Sequence, residues 1–158
     1  MTSIGWADKS IDPVTEFQDA ALNYESAAKS QMTLANSLLR SREADNDEEE
    51  PEQRRRRRDR NASLKMQTVN HLMGAAGNLD HATRAWRAAA QAARDSSSRE
   101  YFQQAGQEVN RRATALIQRA AALAEHAALE HGATGNLQQQ SNASHRAGRI
   151  REQLAGRR

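Results

Sequence analysis

The chain has 158 residues, of which 37% are hydrophobic and 4% aromatic, a lean supply of side chains for the core of one modest domain. It contains no cysteine, which excludes a disulfide framework and a thiolate metal site. The formal net charge of +3 permits an acidic partner, but the charges fall into blocks, so their positions matter more than their sum.

The first residues show no targeting signal. Residues 1–12 lack the basic-then-apolar order of a secretory signal, and no run of about 18 apolar residues occurs in the sequence. We therefore expect an N-terminal tail at 1–12 and a cytoplasmic protein, although secretion by a route without a signal peptide stays open. Arginine far outnumbers lysine, as is typical of GC-rich genomes, which favours a bacterial source.

A first helix is predicted over about 13–43. Asp12 can accept hydrogen bonds from the free amides of a first turn, and Pro13 at the first helical position loses no hydrogen bond. Residues then recur at alternating steps of three and four along one apolar stripe that only a glutamine interrupts. This stripe consists of Val14, Phe17, Ala21, Tyr24, Ala28, Gln31, Ala35 and Leu38.

A disordered charged linker is predicted over about 44–61. An acidic block at 45–52, interrupted by Pro51, is followed by consecutive arginines at 54–58. Adjacent guanidinium groups can contact successive phosphates or an acidic partner, but the upstream acids compete for them and no aromatic side chain interleaves to stack a base. The alternative is a solvated linker whose charges neutralise one another. The candidate contacts are Arg54, Arg55, Arg56, Arg57, Arg58 and Arg60.

A second helix is predicted over about 62–95. Its stripe keeps one heptad phase through Gly74 and Gly77, which favours a continuous helix. Each interior glycine costs about 1 kcal/mol relative to alanine, so a break at Gly77 is the alternative. The stripe consists of Val69, Leu72, Ala76, Leu79, Thr83, Trp86, Ala90 and Ala93.

One stretch of this helix resembles known peptide-binding modules. Residues 77–82, Gly-Asn-Leu-Asp-His-Ala, with Trp86 and Ala89 following, resemble the turn and second helix of a tetratricopeptide repeat. The MIT domain family, whose three-helix modules bind peptide helices, has a similar turn, and residues 109–112 and 116–120 resemble its third helix. Either resemblance implies a helix end at Gly77, which the heptad phase opposes.

A third helix is predicted over about 98–131. Ser97 and Glu100 have the spacing of a capping box, and Gly132 is a suitable C-terminal cap. Large and small residues alternate along its two edges, so a neighbouring backbone can approach closely. The edges are Phe102, Val109, Leu116 and Leu123 on one side and Gly106, Ala113, Ala120 and Ala127 on the other.

Residues 133–158 are polar and basic, with only a short apolar stripe that includes Ile150 and Leu154. They predict a weak fourth helix or a tail. Such a segment can bind phosphate, a membrane or a partner's groove as a basic amphipathic helix, and the alternative is a solubilising tail. Its candidate basic residues are Arg146, Arg149, Arg151, Arg157 and Arg158.

These elements predict an all-α fold: a coiled-coil-like, alanine-rich antiparallel bundle of three long helices at 13–132. In that arrangement five aromatic residues meet at one end and form an aromatic core cluster. Because the rest of the seam is mostly alanine and buries little area, we expect self-association or a partner helix. The predicted cluster consists of Phe17, Tyr24, Trp86, Tyr101 and Phe102.

No residues are arranged for catalysis, and we expect no enzyme, cofactor, metal or small-molecule substrate. His126 and His131 lie five apart, which separates them by about 140° on a helix, too far for ligation from one face. No phosphate loop or nucleophile motif occurs.

The favoured function is a protein–protein interaction module, an adaptor or accessory factor such as a secretion-associated chaperone or a secreted substrate. One alternative is nucleic-acid binding through the arginine run and the basic tail. The other is a self-assembling scaffold, and we do not expect a membrane partner.

Overall fold

The computed structural model describes residues 12–44 and 48–157, which form four α-helices. They are α1 (Pro13–Arg40), α2 (Pro51–Ala92), α3 (Ser96–Ala133) and α4 (Leu137–Ala155). Helix α2 packs against α1 and α3, and α4 packs against α3. Neighbouring helices are antiparallel, and no strand occurs in these two ranges. The predicted all-α antiparallel bundle is confirmed, with the C-terminal segment as a fourth helix.

The C-terminal part of the predicted linker is not a linker but the beginning of α2. Residues 51–61, including the arginine run, form the first turns of this helix, which begins at Pro51. Proline is well suited to a first turn because its fixed φ is helical and its missing N–H would have no helical partner there. The prediction of a disordered linker is therefore wrong for residues 51–61. Pro51 was expected to interrupt a helix, but it begins one.

The N-terminal caps of α1 and α3 can be compared with the capping residues that the sequence predicts. Asp12 caps α1 as expected, its Oδ1 accepting from the Val14 amide at 3.3 Å. Helix α3 is capped by Asp95 instead of Ser97, because the Asp95 carboxylate accepts from both the Ser98 amide at 2.7 Å and the Ser98 hydroxyl at 2.9 Å. Except for Asp12, the predicted N-terminal tail lies outside the described residues.

The core consists mostly of alanine. Helix α1 buries only Ala21, Ala28 and Ala35, which face α2 with methyl groups alone. Such short side chains allow helix backbones to approach closely, and the few larger residues fill the space between α2, α3 and α4. The larger buried residues are Val69, Leu72, Leu79, Trp86, Phe102, Val109, Leu116, Ile117 and Ile150.

Gln31, the polar interruption in the α1 stripe, packs into a notch at Gly74. A Cβ on Gly74 would lie 2.6 Å from Gln31 Nε2. Gln31 Oε1 accepts a hydrogen bond from Asn78 Nδ2 at 2.8 Å. Helix α2 continues through Gly74 and Gly77, so the helix end that the tetratricopeptide and MIT resemblances imply is absent. Gly74 thus contributes to the contact between two helices.

The predicted five-membered aromatic core is smaller than expected. Trp86 and Phe102 are buried and stack with ring centroids 5.8 Å apart. Tyr101 contacts both rings edge-on but is 60% exposed. Phe17 and Tyr24 are 37% and 38% exposed, and Tyr24 stacks on His81 instead. Because α1 meets α2 through its alanines, these two large rings lie on the flank of the contact and not in the core.

Alanine substitutions at the two α2 glycines test the notch. Gly77→Ala should raise the free energy of unfolding by about 0.5 to 1 kcal/mol, because no atom lies within 4 Å of its added Cβ. Gly74→Ala should raise the free energy of unfolding by a smaller amount, because the new methyl group displaces Gln31 from its hydrogen bond with Asn78. In a Gln31→Ala background, the two glycine substitutions should be equally stabilising. Urea denaturation measures the free energy of unfolding of all four glycine variants. If Gly74→Ala and Gly77→Ala are equally stabilising in both backgrounds, the notch at Gly74 is excluded.

Candidate functional site

Three buried polar residues at intervals of four connect the start of α2 to its surroundings. Arg57 Nε donates to Glu49 Oε1 at 2.8 Å. The Asn61 amide donates to the Glu43 carbonyl at 2.8 Å and accepts from the Glu43 N–H at 3.0 Å. The third, Lys65, pairs with Glu130 of α3. All three are buried, so they anchor the acidic connection and α3 to α2.

Asp59 forms a second polar cluster, which holds the turn between α3 and α4. Its Oδ1 lies 2.6 Å from His131 Nδ1 and 3.1 Å from Thr134 Oγ1, and Asn136 donates to both carboxylate oxygens. Burial by itself raises the pKa of Asp59, but the hydrogen bonds from His131, Asn136 and Thr134 outweigh it and hold that pKa below its ordinary value. Asp59 is therefore an ionised acceptor that fixes the start of α4.

The helix distributes the arginine run around its axis. Successive residues turn by about 100°, so arginines at 54–58 cannot form one basic face. Among the candidate arginines, Arg56 pairs with Glu52 at 2.9 Å and Arg60 pairs with Glu43 at 3.1 Å. The proposed phosphate or acidic-partner contacts of all six candidate arginines stay a prediction.

The predicted basic tail forms the short helix α4, and its apolar face is already used. Ala143, Ala147 and Ile150 are buried against the bundle. Arg151 pairs with Glu125 of α3 at 2.6 Å. A solubilising tail is therefore the wrong description, and the same apolar face is not free for a membrane. Arg146 and Arg149 border a cavity beside Met73, and Arg158 lies outside the described residues.

Leu129 and Leu137, which we call the leucine ridge, are the most exposed large apolar residues among those described, each 70% exposed. Leu129 lies on the outer face of α3 between two cavities of about 420 Å³ each. Leu137 begins α4 and is in one stripe with Ser144 and Gly148, which line the second cavity. Leu129 therefore lines the outer groove between α3 and α4, and Leu137 continues the α4 side of that groove toward the start of the helix.

The two cavities beside the leucine ridge differ in chemistry. The inner cavity is bordered by polar residues from three parts of the chain. It is lined by Glu43, Arg58, Asn61, His126, Leu129, Glu130 and Ala133. The outer groove has a floor of small residues and polar edges. It is lined by Glu125, Ala128, Leu129, Gln140, Ser144, Ala147, Gly148 and Arg151.

Sequence reasoning missed this surface because neither leucine belongs to a predicted apolar stripe. Leu129 falls outside the third-helix seam, and Leu137 lies in the glutamine-rich segment after Gly132. Apolar residues outside the stripes, such as Leu22, Met32, Leu39 and Ile117, were the signal for a further partner, and the same signal applies to Leu129. In the two described ranges, no group of three or more His, Cys, Asp or Glu could hold a metal ion. No helix in the same ranges is long and apolar enough to cross a membrane.

The Asp59 cluster predicts a defined pH dependence. Because the folded-state pKa is lowered, its stabilisation is present above the unfolded pKa of about 4 and is lost as pH falls through the folded value. Asp59→Ala should lower the free energy of unfolding by about 1 to 3 kcal/mol at pH 7, because buried His131 loses its acceptor. This decrease in the free energy of unfolding on Asp59→Ala should be smaller at pH 3.

Urea denaturation at the two pH values measures the effect. Asp19→Ala, at an exposed position of α1, is the matched control and should change stability by less than about 0.5 kcal/mol. An Asp59→Ala loss of the same size at both pH values would contradict the role of the ionised carboxylate.

Comparisons with protein-family models, curated proteins and solved structures found no match to this chain.

Proposed function

We propose that the protein is a non-enzymatic binding module that receives an apolar-faced helix of another protein on the leucine ridge. The observation that carries this proposal is the 70% exposure of both Leu129 and Leu137. A partner helix that covers both side chains would remove their apolar surface from water, which is the main driving force for protein association.

The floor of the outer groove suits a second helix. Ala128 and Ala147 are buried there, and a Cβ on Gly148 would meet no atom within 4 Å. Small residues let another backbone come close while a leucine from either side fills the remaining space. The chain already uses this mode of packing between its own helices.

The edges of the groove supply the polar rim of a protein interface. Glu125 and Arg151 form an ion pair across α3 and α4, and each is about half exposed. The hydrogen bond from Arg151 lowers the pKa of Glu125, so the pair stays charged at neutral pH. A rim of this kind surrounds the apolar centre of a typical interface and excludes water from it. An adaptor or a chaperone would use such a surface.

The nucleic-acid alternative has less support. Arg56, Arg57 and Arg60 are engaged by carboxylates, and the helix turns the run around its axis. Self-assembly uses the same ridge with a second copy as the partner, and the experiment below distinguishes the two.

Charge reversal on the ridge tests the proposal. Affinity purification from a native lysate should recover a stoichiometric protein with the original chain and lose it with Leu129→Glu plus Leu137→Glu, because a carboxylate cannot be buried in an apolar contact without a large desolvation cost. The matched control is Leu22→Glu plus Leu34→Glu, at two exposed leucines of α1, which should retain the partner.

Each other outcome has a defined meaning. Equal recovery with all three chains, or no stoichiometric protein with any, contradicts the proposal. Loss of the captured material on nuclease treatment supports the nucleic-acid alternative. Light scattering that shows a dimer only when the ridge is intact identifies a second copy as the occupant.

A further inference from the structure

Helix α4 covers only part of the groove between α2 and α3. It has 19 residues, whereas α2 has 42 and α3 has 38. Just beyond its end, Arg157 reaches the groove and donates to Asp80 Oδ2 and Asn110 Oδ1, both at 2.9 Å, and to Thr114 Oγ1 at 3.1 Å. The groove is open at this point.

We call the open part the arginine groove. It is a cavity of about 310 Å³, and its walls come from both long helices. It is lined by Asp80, Thr83, Arg84, Arg87, Asn110 and Arg157. On α3, Gln103 and Gln107 precede Asn110 by seven and three residues, so the same stripe continues the wall with exposed amides.

The groove carries uncompensated positive charge. Its only acid, Asp80, is engaged by Arg157. Arg84 Nη2 lies 2.8 Å from His81 Nδ1, a neighbour that brings no negative charge. Arg87 forms no ion pair with any described residue, and its stem packs over Gly106, where an added Cβ would lie 3.8 Å from Arg87 Cγ. Two arginines therefore face the groove without a carboxylate, unlike Arg56 and Arg60.

Arg84 and Arg87 are also placed for joint recognition. Residues three apart on a helix are neighbours, with Cβ atoms about 5 to 6 Å apart. Both guanidinium groups are exposed, so they keep the planar fork that binds a carboxylate through two parallel hydrogen bonds. The pair therefore matches consecutive carboxylates on one partner segment.

We propose that the arginine groove binds an acidic peptide segment of another protein, with its carboxylates on Arg84 and Arg87 and its backbone against the amide stripe of α3. Charge complementarity selects the acidic partner. A peptide fits better than a nucleic acid because no aromatic ring lines the groove to stack a base, whereas side-chain amides can bond to peptide groups. This site is separate from the leucine ridge, since Asn110 and Leu129 are about 28 Å apart along α3.

Fluorescence anisotropy with a dye-labelled, glutamate-rich peptide tests the proposal on the full chain. The peptide should bind, its affinity should fall with added salt, and a glutamine-for-glutamate peptide of the same length should not bind. Arg84→Glu plus Arg87→Glu should weaken binding by about tenfold or more, because two charge-assisted contacts become repulsive. The matched control, Arg54→Glu plus Arg55→Glu, makes the same change in net charge at the start of α2 and should bind as the original chain does.

Each remaining outcome of this experiment either supports or overturns the proposed peptide site. An equal loss with both pairs of substitutions would mean general attraction to a basic protein and would overturn the site, as would no binding to the original chain. Tighter binding of a single-stranded oligonucleotide, lost on Arg84→Glu plus Arg87→Glu, would assign the groove to nucleic acid instead. Arg84→Gln plus Arg87→Gln, which introduces no new charge, should also weaken binding while thermal unfolding stays unchanged. Unweakened binding by this variant overturns the proposal. Failure of the leucine-ridge substitutions has no bearing on any of these results.

Discussion

The close antiparallel contact of α2 with its neighbours is the constraint on which the rest of the structure depends. Its seam is built largely from alanine, so each residue buries little apolar area and the bundle relies on short distances between backbones. At such distances a larger side chain in place of one of these alanines would separate the helices. Trp86 and Phe102 are accommodated because they lie at one end, where Gly106 leaves room beside Trp86.

A seam of similar small residues does not by itself define how two helices align along their axes, because shifting one of them by a heptad gives nearly the same contact. Polar contacts remove this ambiguity here. The Gln31 side chain packs against Gly74, where any Cβ would collide with it, and Gln140 has an equivalent place at Gly132, where an added Cβ would lie 2.5 Å from Gln140 Nε2. Asp59 and Lys65 align α2 with the end of α3 in the same way. Buried polar residues thus define register, while alanine supplies the contact.

How far the fold could be predicted from the sequence depends on the range over which each signal acts. The phase from Val69 to Ala93 is a repeated pattern within one helix, so it predicted the continuous α2 correctly. Pro51 was misread because proline is compatible with the first turn of a helix and incompatible with its interior, and the acidic residues around it favoured the second interpretation. The Asp59 and His131 contact joins residues 72 positions apart and has no local signature. The exposed leucines and the arginine groove required the helices to be placed before they could be recognised.

The attachment of α1 has a mechanical consequence. Its fully buried side chains are three alanines, and Val14 and Met32 pack against the core partly buried. Glu25 adds polar contacts, because it accepts from Trp86 Nε1 at 3.0 Å and from Arg112 at 3.2 Å. By contrast, α2 and α3 share the large side chains. Detaching α1 would therefore remove few large side chains from the core, and the central pair of α2 and α3 would keep the large side chains that it shares. Mechanical or thermal stress on the bundle should therefore be resisted less at the contact of α1 with α2 than at the contact of α2 with α3.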